Sequence, residues 1–155
     1  MSKLYILIRN DLHSMNPGKA MAQSTHCVSQ FMSQHPKEAK EWCKEADGFG
    51  TTIVMSGSFD HIDDFIQKNL CDSNIIWGDI IDPTYPFKLQ REIIPYLLKD
   101  AGNLTYDLTE EDCYGFVPAT REEYTASWFF LDGTDENLDA RIKESLYINN
   151  INLFK

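Results

Sequence analysis

The chain predicts an α/β protein: a three-layer α/β/α sandwich around a small mixed, largely parallel sheet of about four strands. Three observations predict it. Leu4 to Ile8 is an unbroken apolar run of strand length, as a strand covered on both faces requires. Thr51 to Met55 and Asn74 to Ile81 repeat the pattern, with β-branched residues and turn formers at their ends. Between them lie segments with helical spacing, so the order β-α-α-β-α-β favours crossover connections and parallel neighbours.

The elements follow in order. Residues 4–9 make the first strand. Asn16-Pro17 opens a helix, with a side-chain acceptor at the cap and proline where its missing N–H costs nothing. That helix reaches about Gln34, before His35-Pro36, and Met21, Thr25, Val28 and Met32 are expected to face the core. Pro36 opens a second helix, Lys37 to Ala46, anchored by Trp42 and ended by Asp47-Gly48. After the second strand, Asp60 is expected to cap a short helix with Ile62, Phe65, Ile66 and Leu70 on one side. Asp82-Pro83 is expected to stop the third strand.

Beyond it, Leu89, Ile93 and Leu97 have helical spacing that Pro95 interrupts, so any helix there is short or bent. Tyr124 to Leu131, centred on Trp128-Phe129-Phe130, is a strand. A last helix runs from Asp135 to about Leu146, with Leu138, Ile142 and Leu146 inward, and an apolar tail follows. The whole of residues 1–155 reads as one domain with an insertion at about 87–120.

Composition narrows the function. At 43 % hydrophobic and 25 % charged the chain is of ordinary globular make-up. No run approaches the roughly 18 apolar residues of a membrane span. Arg9, Asn10 and Asp11 cut the first apolar run short and no small-residue cleavage site follows, so a strand is expected there and a cytoplasmic protein. Cys27, Cys43, Cys71 and Cys113 form no C-x-x-C pair and read as reduced, mostly buried thiols. His13, His26, His35 and His61 lack zinc-hydrolase spacing, so no metal is expected. A net charge of −10, with 24 acidic against 14 basic residues, opposes extensive binding to duplex DNA. Met1 to Lys19, however, carries three basic side chains against one acid, enough for a small cationic mouth.

The chemistry concentrates in that segment. Arg9-Asn10-Asp11-Leu12 follows the first strand, and Gly18-Lys19 opens the first helix, where unpaired N–H groups favour anions. Lys19, Gln23 and His26, at i, i+4 and i+7, put an ammonium, an amide and an imidazole on one helical face. Each has a plainer reading: lysine and glutamine are common solvated helix residues, and His26 beside Cys27 suits a packing role. A Walker A loop is excluded because the upstream glycine and the following Ser or Thr are missing, and G-x-S-x-G is absent.

The pattern R-x-D-L…G-K-x-x-A-Q-x-x-H resembles the N-terminal signature of the type 2 (archaeal/eukaryotic-type) peptidyl-tRNA hydrolase family. Trp42 with its glycine-containing turn, the second strand and the helix from Asp60 to Leu70 are similar to the family's next segments. The family then has an Asp-Ala-Gly-x-Thr motif, where this chain has Asp82-Pro83-Thr84. By position Asp82 matches the family aspartate, with Asp79 second. Ile94 to Thr105, containing Asp100-Ala101-Gly102-Asn103-Leu104-Thr105, looks like the same motif and keeps Asp100 open as a further alternative. Thr125 takes the place of the threonine near the start of the family's last strand.

The resemblance implies hydrolysis of the ester between a peptidyl group and the 3′ end of tRNA, without metal or cofactor. It assigns catalysis to Lys19 (oxyanion or nearby phosphate), Asp82 (water) and Thr125. Asp11, Gln23, His26 and Thr84 would contact or position substrate. It also allows a homodimer. The competing reading is a non-catalytic nucleotide-, RNA- or protein-binding module on the same fold, which the sequence pI of about 4.7 favours.

Overall fold

A computed structural model describes residues 1–71, 73–97 and 104–154. The elements run β1 (Lys3–Arg9), α1 (Pro17–Gln34), α2 (Pro36–Trp42), β2 (Thr52–Gly57), α3 (Phe59–Asn69), β3 (Ile76–Gln90), α4 (Ile94–Leu97), β4 (Thr105–Tyr106), β5 (Phe116–Leu131), α5 (Glu136–Ile148) and β6 (Asn152–Leu153). The α/β class is as expected.

The sheet differs from the expectation in size and direction. Among the described residues it has six strands, ordered β3-β5-β1-β2-β6, with β4 beside β5. β1 and β2 are parallel, Leu4 opposite Thr52 through Arg9 opposite Gly57, as the α1–α2 crossover between them demands. β5 lies antiparallel to β1, with Lys3 opposite Leu131 and Ile8 opposite Ala126. β6 is antiparallel to β2 and β4 to β5. The four-strand, largely parallel picture therefore fails. It rested on the third strand joining the first two by a crossover, whereas β5 takes the place beside β1 and β3 lies beyond it at the edge.

Both faces of β1 are covered, which is why its apolar run is continuous. Leu4, Ile6 and Ile8 pack with Ala20, Cys27 and Phe31 of α1, Trp42 of α2, and Trp128 and Phe130 of β5. On the opposite face Tyr5 stacks on Phe129 with ring centroids 4.7 Å apart, and Phe65 of α3 meets the same ring at 5.5 Å. Asp139 of α5 accepts from the Tyr5 hydroxyl at 3.0 Å.

Several local expectations are corrected. The buried stripe of α1 is Ala20, Gln23, Cys27 and Phe31, and of the expected Met21, Thr25, Val28 and Met32 only half-buried Val28 packs against the core. Met21 is 72 % and Met32 46 % exposed, because a one-residue offset turns a helix position by about 100°. α2 ends at Trp42 rather than Ala46. The indole N–H donates to Thr51 O at 3.0 Å. Gly50 (φ +70°) lies so close that a Cβ there would sit 2.3 Å from the ring. Ser58, not Asp60, caps α3, accepting from the His61 N–H; Ile62, Phe65, Ile66 and Leu70 are buried as expected. β3 does not stop at Asp82-Pro83, because an edge strand tolerates a proline whose missing donor would face outward. In α5, capped by Asp135, Ile142 and Leu146 are buried and Leu138 is only half-buried. Among the cysteines, Cys27 is buried, Cys43 half-buried, and Cys71 and Cys113 exposed.

Residues separate into two compact units, Met1–Ile80 with Thr125–Lys155, and Ile81–Tyr124. The stretch read as an insertion, 87–120, falls inside the second. That unit has a small core of Leu89, Ile94, Val117 and Ala119. Lys88 pairs with Asp112 at 2.9 Å, Arg91 pairs with Glu111, and the Arg121 guanidinium lies 5.0 Å over the Phe87 ring. Among the described residues no helix is long and apolar enough to cross a membrane.

Candidate active site

The first unit builds its site where β1 hands over to α1. Met15 N–H donates to Leu12 O at 2.9 Å, turning the chain, and buried Leu12 pins the turn to the core. Asn16 then caps α1: its side chain accepts from the Lys19 backbone N–H at 3.0 Å, with Pro17 in the first helical turn. Lys19 thus stands in the first turn of an 18-residue helix, where the N-terminal partial charge favours an anion.

One turn on, Gln23 is buried, and its Oε1 accepts from the Thr125 hydroxyl of β5 at 2.8 Å. Thr125, itself 0 % exposed, also lies 3.3 Å from Ile80 O, so its single proton has two acceptors to choose between. The shorter contact turns the Gln23 carbonyl toward β5. Of the three residues expected on one face of α1, Gln23 points inward, Lys19 is half-buried at the rim and His26 is exposed.

Asp11 is engaged elsewhere than at Lys19. Arg9 donates to both of its carboxylate oxygens, Nε at 2.9 Å and a terminal nitrogen at 3.0 Å. The Arg9 guanidinium also lies 5.2 Å over the Phe59 ring at the start of α3. Burial would raise the Asp11 carboxyl. The Arg9 hydrogen bonds, the Phe59 backbone N–H and the Arg9 charge together hold it below the usual range. The R-x-D pair therefore ties the β1–α1 loop to α3.

Asp82 and Thr84 belong to the second unit. Asp82 is half-buried and accepts from the Thr84 N–H at 3.0 Å, an Asx turn within a strand. Asp100 lies outside the described residues.

Sequence reasoning missed a second set of polar contacts along β3 and β5. Ser127 donates its hydroxyl to Asp79, and Trp128 Nε1 donates to Gln30 Oε1 at 2.6 Å. Gln30 Nε2 in turn donates to Asp79 O at 3.1 Å. Burial lifts Asp79 above the usual carboxylate range against the pull of the Ser127 hydrogen bond, and the charge of Asp63 adds to the lift. The signal was available as Thr125 and Ser127, two polar residues at period two inside an apolar strand. Cys27, beside them, is no nucleophile: burial pushes its thiol up to about 12.

An anion-favouring helix start with a lysine, followed one turn later by a fixed amide, suits an acyl ester next to a phosphodiester. The description of the peptidyl-tRNA hydrolase PTH2 family matches residues 2–82, just over half of the chain. The chain belongs to that family. No curated protein matches it. As a PTH2 member it is, at the level of the family, a peptidyl-tRNA hydrolase, an enzyme of translation acting on tRNA. The matched segment of this PTH2 protein contains Asp11, Lys19, Gln23, His26 and, as its last residue, Asp82. Thr125, Ser127 and α5 lie outside it.

Proposed function

We propose that the protein hydrolyses the ester joining an N-acyl-aminoacyl group to the 3′ ribose of tRNA, without a metal or cofactor. Water attacks the ester carbonyl, the carbonyl–ribose oxygen bond breaks, and the ribose hydroxyl leaves with a proton. Lys19 stabilises the developing oxyanion or holds the adjacent phosphate, helped by the start of α1. Asp82 orients and deprotonates the water. Gln23, held by Thr125, positions the acyl group, while His26 and Thr84 contact the tRNA end. Asp11 acts through Arg9 by fixing the loop that carries Lys19. The protein works in the cytoplasm, and residues 87–120 are an insertion on the family domain.

The observation that carries this reading is the buried Gln23–Thr125 hydrogen bond one helical turn from Lys19. An amide fixed in place is of use to a reaction that needs an acyl group aligned, since positioning contributes strongly to rate. The net charge of −10 fits a substrate gripped at one end rather than along a duplex.

Release of free tRNA from purified N-acetyl-aminoacyl-tRNA tests it. Lys19→Ala is expected to lower kcat by about 10²–10³-fold, and Asp82→Asn by about 10²–10⁴-fold. Turnover is expected to survive EDTA. A folded wild type that releases no tRNA from several acyl-tRNAs would leave a binding module on the same fold.

A further inference from the structure

Acidic residues recur along most of the chain, yet none falls between Leu12 and Lys37. In a protein with 24 of them and a net charge of −10, that gap sets one surface apart. It holds the whole of α1, whose one lysine is Lys19. The short α2 that follows balances Lys37 and Lys40 against Glu38 and Glu41. On the opposite face of the sheet, where Phe65 and Asp139 lie with Tyr5, the helices carry a surplus of acid. α3 has Asp60, Asp63 and Asp64 against Lys68, and α5 has Glu136, Asp139 and Glu144 against Arg141 and Lys143. A polyanion approaching the helices of the first unit is therefore repelled least over α1.

The exposed side of α1 is ordered to match. Lys19, Ala22, His26, Ser29 and Ser33 recur at steps of three and four, which gathers them within about 80° of the helix circumference. Lys19 is half-buried and the other four are exposed. This stripe is distinct from the buried one, Ala20 to Phe31, and from the apolar one that includes Met21 and Met32. Ammonium, imidazole and hydroxyl groups are donors that hold phosphate and sugar oxygens, and RNA adds its 2′-hydroxyls to these contacts. Ser29 and Ser33 stand about 15 and 21 Å along the axis from Lys19, beyond the span of one nucleotide.

We infer that the RNA strand leading to the ester lies along this stripe, its end at Lys19 and its more distant nucleotides over Ser29 and Ser33. This rests on the proposed hydrolase reading for the identity of the substrate and adds the path that its strand takes.

The test uses paired glutamates. Ser29→Glu/Ser33→Glu puts two acids on the stripe, and Gln67→Glu/Asn137→Glu puts two on α3 and α5. All four positions are helical and exposed, where glutamate is a good helix former. Binding of deacylated tRNA is read first, since it needs no turnover. The stripe pair is expected to weaken it about tenfold, because like charges brought together across an interface repel. The other pair, screened by solvent and salt, is expected to leave it within about twofold. Ser29→Lys/Ser33→Lys is expected to tighten binding and to steepen the fall of log K with log[salt] by up to about two. Turnover is then compared on N-acetyl-leucyl-tRNA and on the N-acetyl-leucyl 3′-ester of adenosine 5′-monophosphate, which keeps the ester but lacks the strand. The stripe glutamates are expected to lower kcat/KM on the tRNA about tenfold and to spare the nucleotide ester. Equal effects of the two glutamate pairs on tRNA binding, or equal loss on the two substrates, overturn the strand path and leave the hydrolase reading intact. Selective weakening of tRNA binding in a protein that cleaves neither substrate supports the RNA surface and overturns the hydrolase reading alone.

Discussion

Thr125 Oγ1 donates to Gln23 Oε1 across 2.8 Å, a fully buried hydrogen bond between residues 102 apart in sequence. It joins the start of the innermost stretch of β5 to the helix that carries Lys19. Removing the donor takes away a buried hydrogen bond, which contributes about 0.5–1.5 kcal/mol. Thr125→Val, which keeps the shape, is expected to lower stability by that amount and to reduce kcat more than it raises KM. Thr125→Ser restores the donor and most of the rate. Denaturant titration beside single-turnover hydrolysis checks both. A Val variant with full kcat would remove Thr125 and the alignment of Gln23 from the mechanism.

The two stripes of α1 make opposite predictions. Phe31 is 0 % exposed and touches Trp42, Trp128 and Phe130, with ring centroids 4.9–5.8 Å away. Phe31→Ala is expected to cost about 3–5 kcal/mol. Met21→Gln, on the exposed stripe, is expected to stay within about 0.5 kcal/mol of wild type. Urea midpoints of the two variants decide the phase of the helix, and comparable losses would contradict the orientation described above.

What could be read from the sequence was whatever is local. The Asn16-Pro17 opening, the Asp135 cap of α5 and the Ile62–Leu70 stripe of α3 all depend on residues within a turn or two of each other. The phase of α1 was ambiguous because apolar residues occupy two stripes, and burial by β5 chooses between them. Strand direction was not local at all. Nothing in Leu4 to Ile8 announces that Trp128-Phe129-Phe130 will lie antiparallel beside it after more than 100 intervening residues. Proline at 83 suggested a strand end because the edge position of β3 could not be known. At the candidate site, Gln23 and Thr125 were picked separately by family resemblance, and the structure joins them by a hydrogen bond. Ser127 and Gln30 matter only through contacts with β3, so a linear reading passes over them.

Asp79 offers a separation between the alternative carboxylates. Its folded pKa is raised above the unfolded value, chiefly by burial. The folded state therefore holds its proton more tightly. The stabilising contribution of the protonated form is lost as pH rises from the unfolded pKa, about 3.9, through the folded one. Asp79→Asn keeps an acceptor for Ser127 and removes the buried charge. It is expected to be at least as stable as wild type at pH 7, to lose that advantage at pH 4 and below, and to retain hydrolysis. Loss of turnover in a stable Asp79→Asn protein would move the proposed water-activating role from Asp82 to Asp79.

Asp139 shows the opposite sign. Its carboxylate binds Lys3 at 2.6 Å, Lys143 at 2.9 Å and the Tyr5 hydroxyl at 3.0 Å, linking α5 to β1. Burial works against the ionised form, but these three partners hold the carboxyl down at about 2. Because the folded pKa lies below the unfolded one, the contribution is complete above about pH 4 and disappears as pH falls through about 2. Asp139→Asn removes the charge that balances two ammonium groups, so it is expected to lower the urea midpoint at pH 7. The gap from wild type should close as both proteins are titrated toward pH 2. High salt should narrow it less than for the exposed Lys68–Asp64 pair, since the Asp139 side chain is 19 % exposed against 63 % for Asp64. A gap constant from pH 7 to pH 2 would mean that Asp139 acts through packing rather than charge.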